Sequence, residues 1–379
     1  MTVLRCFFKP LFALVAAACF GLCFSLCAAA EDSSTQDIAD SIDITLRDMA
    51  PDGTEDYLEE HSISVSDPDG ISQLSPSDIL SDLRERFVTA FFSHRSLLAR
   101  IVAAAILCAV ASSIASDSRY GIIVDNTAVL FIMLAVYDQL NACLTLCRTT
   151  LDTLTAFMIS YIPVCSSVSA ASGNAATGSC FYSSTIFLCE LIAIVVGKLL
   201  LPAVSALIAL SVAGAVDTNL NFGAAAATAK RIVTVAMSAF MTVFTGYMAV
   251  TGSVASSADT MRARGIRFAA SSFIPVVGSA VSESYGTVKQ SLSVIRTSVG
   301  AVGIILIAAA VLPPLISMIA LRLTLSLGRL GCEVLGQSRS AALLDSLGSV
   351  LSLLIAVLFC FSMMFVIATG SMLAFTARM

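Results

Sequence analysis

From Leu97 onward the apolar residues come in long blocks separated by short polar stretches. The blocks are Leu97 to Ala115, Gly121 to Leu144, Leu151 to Ala171, Thr185 to Gly214, Ile232 to Gly252, Val299 to Leu321 and Val350 to Phe375. About 20 apolar residues suffice for a helix to cross the roughly 30 Å hydrocarbon layer of a bilayer. The pattern therefore predicts an all-α fold, a polytopic helical membrane protein with seven transmembrane helices. The fourth block exceeds one crossing and contains Pro202. It reads either as one kinked helix or as two short ones, and the second choice gives eight spans and inverts everything downstream.

The pattern ahead of Leu97 is different. Residues 1–30 read as a signal peptide: Arg5 and Lys9, then the apolar run Leu11 to Cys27, then Ala28-Ala29-Ala30. An uncleaved anchor helix is the alternative, and both place residue 31 outside the cytoplasm. Residues 31–75 form an acidic extracytoplasmic segment. Ile38, Ile42, Leu46 and Met49 keep helical spacing there, and Pro51-Asp52-Gly53 and Asp67-Pro68-Asp69-Gly70 signal turns. This is a small, loosely packed unit or a partner-binding arm. Ser75-Pro76-Ser77-Asp78 opens a helix, with Pro suited to its first position. Over 76–96 the stripe Ile79, Leu80, Leu83, Phe87 and Phe91 predicts an amphipathic helix on the membrane surface.

Composition supports lipid as the solvent. Hydrophobic residues make up 57% of the 379, and charged residues only 12%, about half the usual fraction for a soluble domain. Of the 26 Asp and Glu, 16 fall between Glu31 and Glu85, so the net charge of −5 belongs to one segment. No basic patch suits a nucleic acid. The segment 31–96 has no Cys, which rules out a disulfide framework there. Positive charge does not fix the topology, because Arg262, Arg264, Arg267, Lys289 and Arg296 compete with Lys230, Arg231, Arg322, Arg329 and Arg339 for the cytoplasmic side.

No enzyme motif emerges. His61 and His94 are isolated, and Cys143 and Cys147 share a helix face without further ligands. Gly197-Lys198 lacks the upstream glycine of a phosphate loop. The expectation is a protein without catalytic residues, cofactor or metal. Polar residues within the apolar blocks carry more information. Asp125, Asn126, Asp138, Gln139 and Asn141 lie in or near the second block, and Glu190 and Lys198 in the fourth. A charge at the centre of a bilayer costs at least about 2.5–3.5 kcal/mol, so it faces protein or water. Two readings stay open: a polar translocation path, or edge placement and pairing between helices. Glu190 sits deepest in its block and is the strongest candidate.

The chain divides further into a first group of transmembrane helices (97–252), a basic loop (253–297) and C-terminal transmembrane helices (298–379). The loop holds Asp259, Arg264, Arg267 and the apolar run Phe273-Ile274-Pro275-Val276-Val277-Gly278. That run is too short to span and is interrupted by Pro275 and Gly278. It reads as a re-entrant segment or as a surface helix. Gly300 and Gly303 are small residues at helix-contact spacing.

The block from Gly252 to Ser291 resembles the stage III sporulation protein AE family of endospore-forming bacteria. Asp259, Arg264, Arg267-Phe268 and Phe273 to Gly278 carry the likeness, with further matches at Ile162-Pro163, Ala170 to Gly173, Leu201-Pro202 and Leu312-Pro313. The abundant Cys and the Ser-rich exported segment depart from the family. The resemblance implies a non-enzymatic subunit of a channel or secretion-like complex in the mother-cell membrane around the forespore. Its implied partners are other stage III sporulation proteins of the same operon, including an ATPase, and a forespore membrane protein. It supplies no catalytic residues. A stand-alone transporter, a structural scaffold and a homo-oligomer remain competing expectations.

Overall fold

The computed structural model describes residues 33–51, 54, 64, 76–114, 118–195, 198, 201–216, 222–273 and 278–376. The signal peptide expected over 1–30, the Ser75 cap and the run 274–277, Pro275 included, lie outside them. Within them the regular elements are all helices: α1 (Ser33–Asp48), α2 (Pro76–Ser93), α3 (Arg95–Ile114), α4 (Ser118–Ala171), α5 (Ala175–Ile194), α6 (Leu201–Val216), α7 (Phe222–Phe273), α8 (Gly278–Val334) and α9 (Ser338–Thr376). Among the described residues six helical stretches are long and apolar enough to cross a membrane, and Pro202–Ala215 is a shorter apolar helix.

Two expectations change, and one open choice is decided. The second and third apolar blocks are one continuous helix, α4, of 54 residues, about 81 Å long at 1.5 Å per residue. Residues 145–150, with Arg148 among them, separated the two blocks in the apolar pattern. They contain no Gly or Pro, and the buried positions Leu140, Cys143, Cys147, Leu151 and Leu154 keep helical spacing straight through them. The fourth block divides into α5 and α6, with Pro202 in the first turn of α6, where its missing N–H costs nothing. The described residues of the basic stretch 253–297 are helical, because α7 continues to Phe273 and α8 begins at Gly278. Ala39 and Leu46 of α1 are buried, and α1 packs on α8.

α9 is the axis of the bundle and touches α4, α5, α6, α7 and α8. Two helical hairpins organise the rest, and each turns on a glycine in the left-handed region. Gly173 (φ 80°) ends α4, and Gly336 (φ 75°) ends α8. At the first turn Asn174 N–H donates to Ser169 C=O (2.9 Å) and Gly173 N–H to Ala170 C=O (3.0 Å). At the second, Gln337 N–H donates to Cys332 C=O (2.9 Å) and Gly336 N–H to Glu333 C=O (3.1 Å). This is the same glycine-ended helix stop used twice.

Close contacts set the heights of the helices. Arg329 meets Asp345 at 2.5 Å near the α8–α9 turn, and Gly300 lies against Leu373 at the far end of the pair. Cys360 of α9 lies 4.0 Å from the Met237 carbonyl of α7. Tyr161 of α4 donates to the Val299 carbonyl of α8 at 3.0 Å and packs into the space left by Gly303. The apolar stretches of α7, α8 and α9 therefore lie side by side. Residues 299–321 rise about 33 Å, which matches the hydrocarbon thickness. The part of α4 beside them runs back from Tyr161 by the same length.

Candidate functional site

The densest polar structure inside the bundle is a joint between α5, α7 and α8. The first amides of a helix have no partner within it. At α5 the capping position, Asn174, makes no side-chain cap hydrogen bond. Asp259 of α7 supplies the acceptors instead. Ala176 N–H donates to Oδ1 (2.9 Å), and the N–H and hydroxyl of Thr177 both donate to Oδ2 (2.8 Å each). The carboxylate also meets the positive end of the α5 dipole. Asp259 is 1% exposed and Arg296 of α8 is 2% exposed, and the two interact electrostatically. Nε and Nη1 of Arg296 have no hydrogen-bond partner. Asp259 thus ties α7 to α5 across 82 residues of the chain, and its charge acts on a buried base of α8 that lies 37 residues further on. Around them Ser169, Ser172 and Asn174 are buried, and the Ser172 hydroxyl donates to Ser169 C=O at 2.9 Å.

The other end of the bundle has its own polar joint. Arg339 of α9 donates to Asn126 Oδ1 of α4 at 2.7 Å and lies 3.9 Å from Asp125. Arg329 joins Glu333 and Asp345. Gln337 reaches Ser112 of α3 at 3.4 Å. Asp125 and Asn126 thus pair between helices and do not line a path.

Glu190 and Lys198 behave otherwise. Both are exposed. Asp138, Asn141, Thr145, Arg148, Thr149, Asp152 and Thr153 of α4 are exposed as well. Arg148 and Asp152 pair at 3.6 Å with both side chains open. Their height follows from the contacts above. Asp152 and Arg148 lie 9 and 13 residues back from Tyr161, about 14 and 20 Å into the layer. Gly178 of α5 approaches Ser166 and Ser169, so Glu190, 12 residues further on, returns to the level of residues 154–157 of α4. The middle of the apolar layer therefore carries exposed charge on its outer side.

The expected candidates separate accordingly. Asp259 is in the buried joint and Arg264 is exposed on α7, beyond it. Arg267 and Phe273 fall in the last turns of α7 and Gly278 opens α8; the side chains of Arg267 and Phe273 are outside the described set. The structure does not bring Glu190 and Lys198 together with Asp259. Arg296 was obscured in the sequence by its basic neighbours, and no local pattern ties it to Asp259. Arg148 and Asp152 were hidden by the reading of a loop, although the helical spacing of 140–154 was there to find them. Cys143 and Cys147 are buried in the core. Among the described residues no group of three or more His, Cys, Asp or Glu could hold a metal ion.

Comparison with known proteins bears on the same residues. The family described as Stage III sporulation protein AE matches residues 63–376, a range that contains the buried joint and the outward polar face. Stage III sporulation protein AE of Bacillus subtilis (strain 168) is 20% identical over 299 residues, 78% of this chain and 75% of that protein. No solved structure matches. With most of its length matched, the chain belongs to the stage III sporulation protein AE family.

Proposed function

We propose that the protein is a non-enzymatic membrane subunit of a channel or secretion-like complex that joins mother cell and forespore and that forespore development requires. Its family supports a role in sporulation. The observation that carries the subunit reading is the exposed charge at membrane depth. A bundle presenting Arg148, Asp152 and Glu190 outward at that level is incomplete in lipid. It is completed by an assembly. In this reading the bundle sits in the mother-cell membrane around the forespore, with its acidic N-terminal segment between the two membranes. The partners are other stage III sporulation proteins, including an ATPase that supplies the energy, and a forespore membrane protein.

The test is a chromosomal Glu190→Gln replacement in a spore former. Localisation at the forespore-surrounding membrane and recovery with other stage III proteins should persist, while forespore development fails. Normal development after deletion of the whole gene contradicts the reading. Normal development with Glu190→Gln alone favours a scaffold over a conducting subunit.

A further inference from the structure

We propose that the buried joint is a two-state latch, in which the Asp259 carboxylate exchanges between the first turn of α5 and the guanidinium of Arg296 while Asn174 takes over the amides it leaves. The inference goes beyond the subunit reading and does not depend on it. Three buried groups carry it. Asparagine is among the preferred residues at the capping position of a helix, where its side-chain oxygen accepts from the second or third amide of that helix. In α5 those amides belong to Ala176 and Thr177, and Asp259 of α7 holds both, at 2.9 and 2.8 Å. Asn174 is 3% exposed and caps nothing, and its Oδ1 has no hydrogen-bond partner among the described residues. Arg296 is 2% exposed, and its Nε and Nη1 have none either. The carboxylate thus occupies the amides that the capping residue would serve. It does so within electrostatic reach of a buried cation whose N–H groups lack an acceptor.

A buried donor or acceptor left unsatisfied costs free energy, so this arrangement carries a defect on each side of Asp259. One exchange removes both. Turned to α8, the carboxylate accepts from the guanidinium in a charge-assisted pair. The first turn of α5 then passes to Asn174 Oδ1. Asn174 stands at φ −113°, ψ 50°, away from the extended backbone of a capping residue, so the exchange also turns this residue. The Thr177 hydroxyl, which donates to Asp259 at 2.8 Å, has no counterpart in the second state and weights the balance towards the first. Each state leaves something unpaired. The consequence reaches beyond the joint. In the first state Asp259 ties α7 to α5. In the second it ties α7 to α8 and releases the α4–α5 turn. A partner that binds the released turn selects the second state through its different contacts with the two.

The experiment uses the full-length protein in lipid nanodiscs with a trifluoroethylthio label on Cys180. That residue lies on α5 three positions after Thr177, and the other cysteines of the described residues are buried. Cys6, Cys19, Cys23 and Cys27 are replaced by Ser in the parent. Fluorine magnetic resonance reads the two states as two lines, or as one line at their weighted mean. Arg296→Met removes the second partner of Asp259 and should collapse the signal onto the first state. Asn174→Ala removes the waiting cap and should lower the ratio of second to first state roughly fivefold, the equivalent of one hydrogen bond. Thr177→Val removes a bond of the first state only and should raise the ratio by about the same factor. Opposite displacements by these two variants support the exchange, and they decide alone should Arg296→Met not fold. Any other pattern overturns it, including displacements in one direction, a line that no variant moves, and a second state that survives Arg296→Met.

Discussion

Asp259 accepts three hydrogen bonds that the first turn of α5 cannot satisfy by itself, and it stands beside a buried arginine. Removing it leaves two amides and a hydroxyl without their acceptor and takes away the negative charge that acts on the buried Arg296. Asp259→Ala should therefore cost about 3–5 kcal/mol, the range for breaking a buried pair from one side. Thr177→Val, which removes one donor and keeps the volume, should cost about 1 kcal/mol. Thermal unfolding in detergent measures both, and equal losses would argue against the joint. Gly303 is a second sensitive residue, because a Cβ there collides with the ring end of Tyr161. Gly303→Ala should lose about 1–3 kcal/mol through overpacking. Tyr161→Phe should recover part of that loss, a non-additivity that a double-mutant cycle reads directly.

At the scale of the element, the hairpin turns depend on backbone conformation. Gly336 has φ 75° with open space around it, so Gly336→Ala is opposed by dihedral strain alone, about 1 kcal/mol. Gly348 and Gly370 lie inside α9 with nothing near a new Cβ. Alanine there should be neutral or stabilising by up to about 1 kcal/mol. The ordering of these three variants in detergent melts checks the assignment. The same scale shows what the sequence made legible. The apolar blocks gave the helical membrane fold, and Pro76 and Ile38 to Leu46 gave α2 and α1, since lipid-crossing length and helical spacing are local properties. The polar stretch 145–150 around Arg148 misled, because charge marks an exit from the membrane only if the whole helix faces lipid. Here one face of α4 is turned from the core and the other is buried. Asp259 drew notice through its surroundings, but its partners could not be read. Thr177 and Arg296 are distant in the chain, and the spacing of residues does not encode contacts between helices.

At the scale of the molecule, the buried joint and the outward face make opposite demands. The joint serves folding, so its loss should reduce the amount of protein in the membrane. In the proposed function the outward face serves the assembly. Replacing Thr145, Thr149 and Thr153 together by Leu should leave the detergent melt within about 0.5 kcal/mol, as for surface positions, while abolishing forespore development. Counting spores beside a melting curve separates the two, and parallel losses would show that the face belongs to the core after all.

The whole arrangement depends on α4 being a single helix through the apolar layer. Spin labels at Asn126 and Tyr161, or at exposed neighbours such as Thr127 and Ser160, measure this by pulsed electron resonance in lipid nanodiscs. One continuous helix separates Asn126 and Tyr161 by 35 residues, about 52 Å. Two antiparallel spans folded back at Arg148 would bring them within roughly 15–20 Å, given an interaxial distance of 8–10 Å. A distribution centred near 50 Å is expected, and one centred below 25 Å would contradict the structure of the site and everything inferred from it.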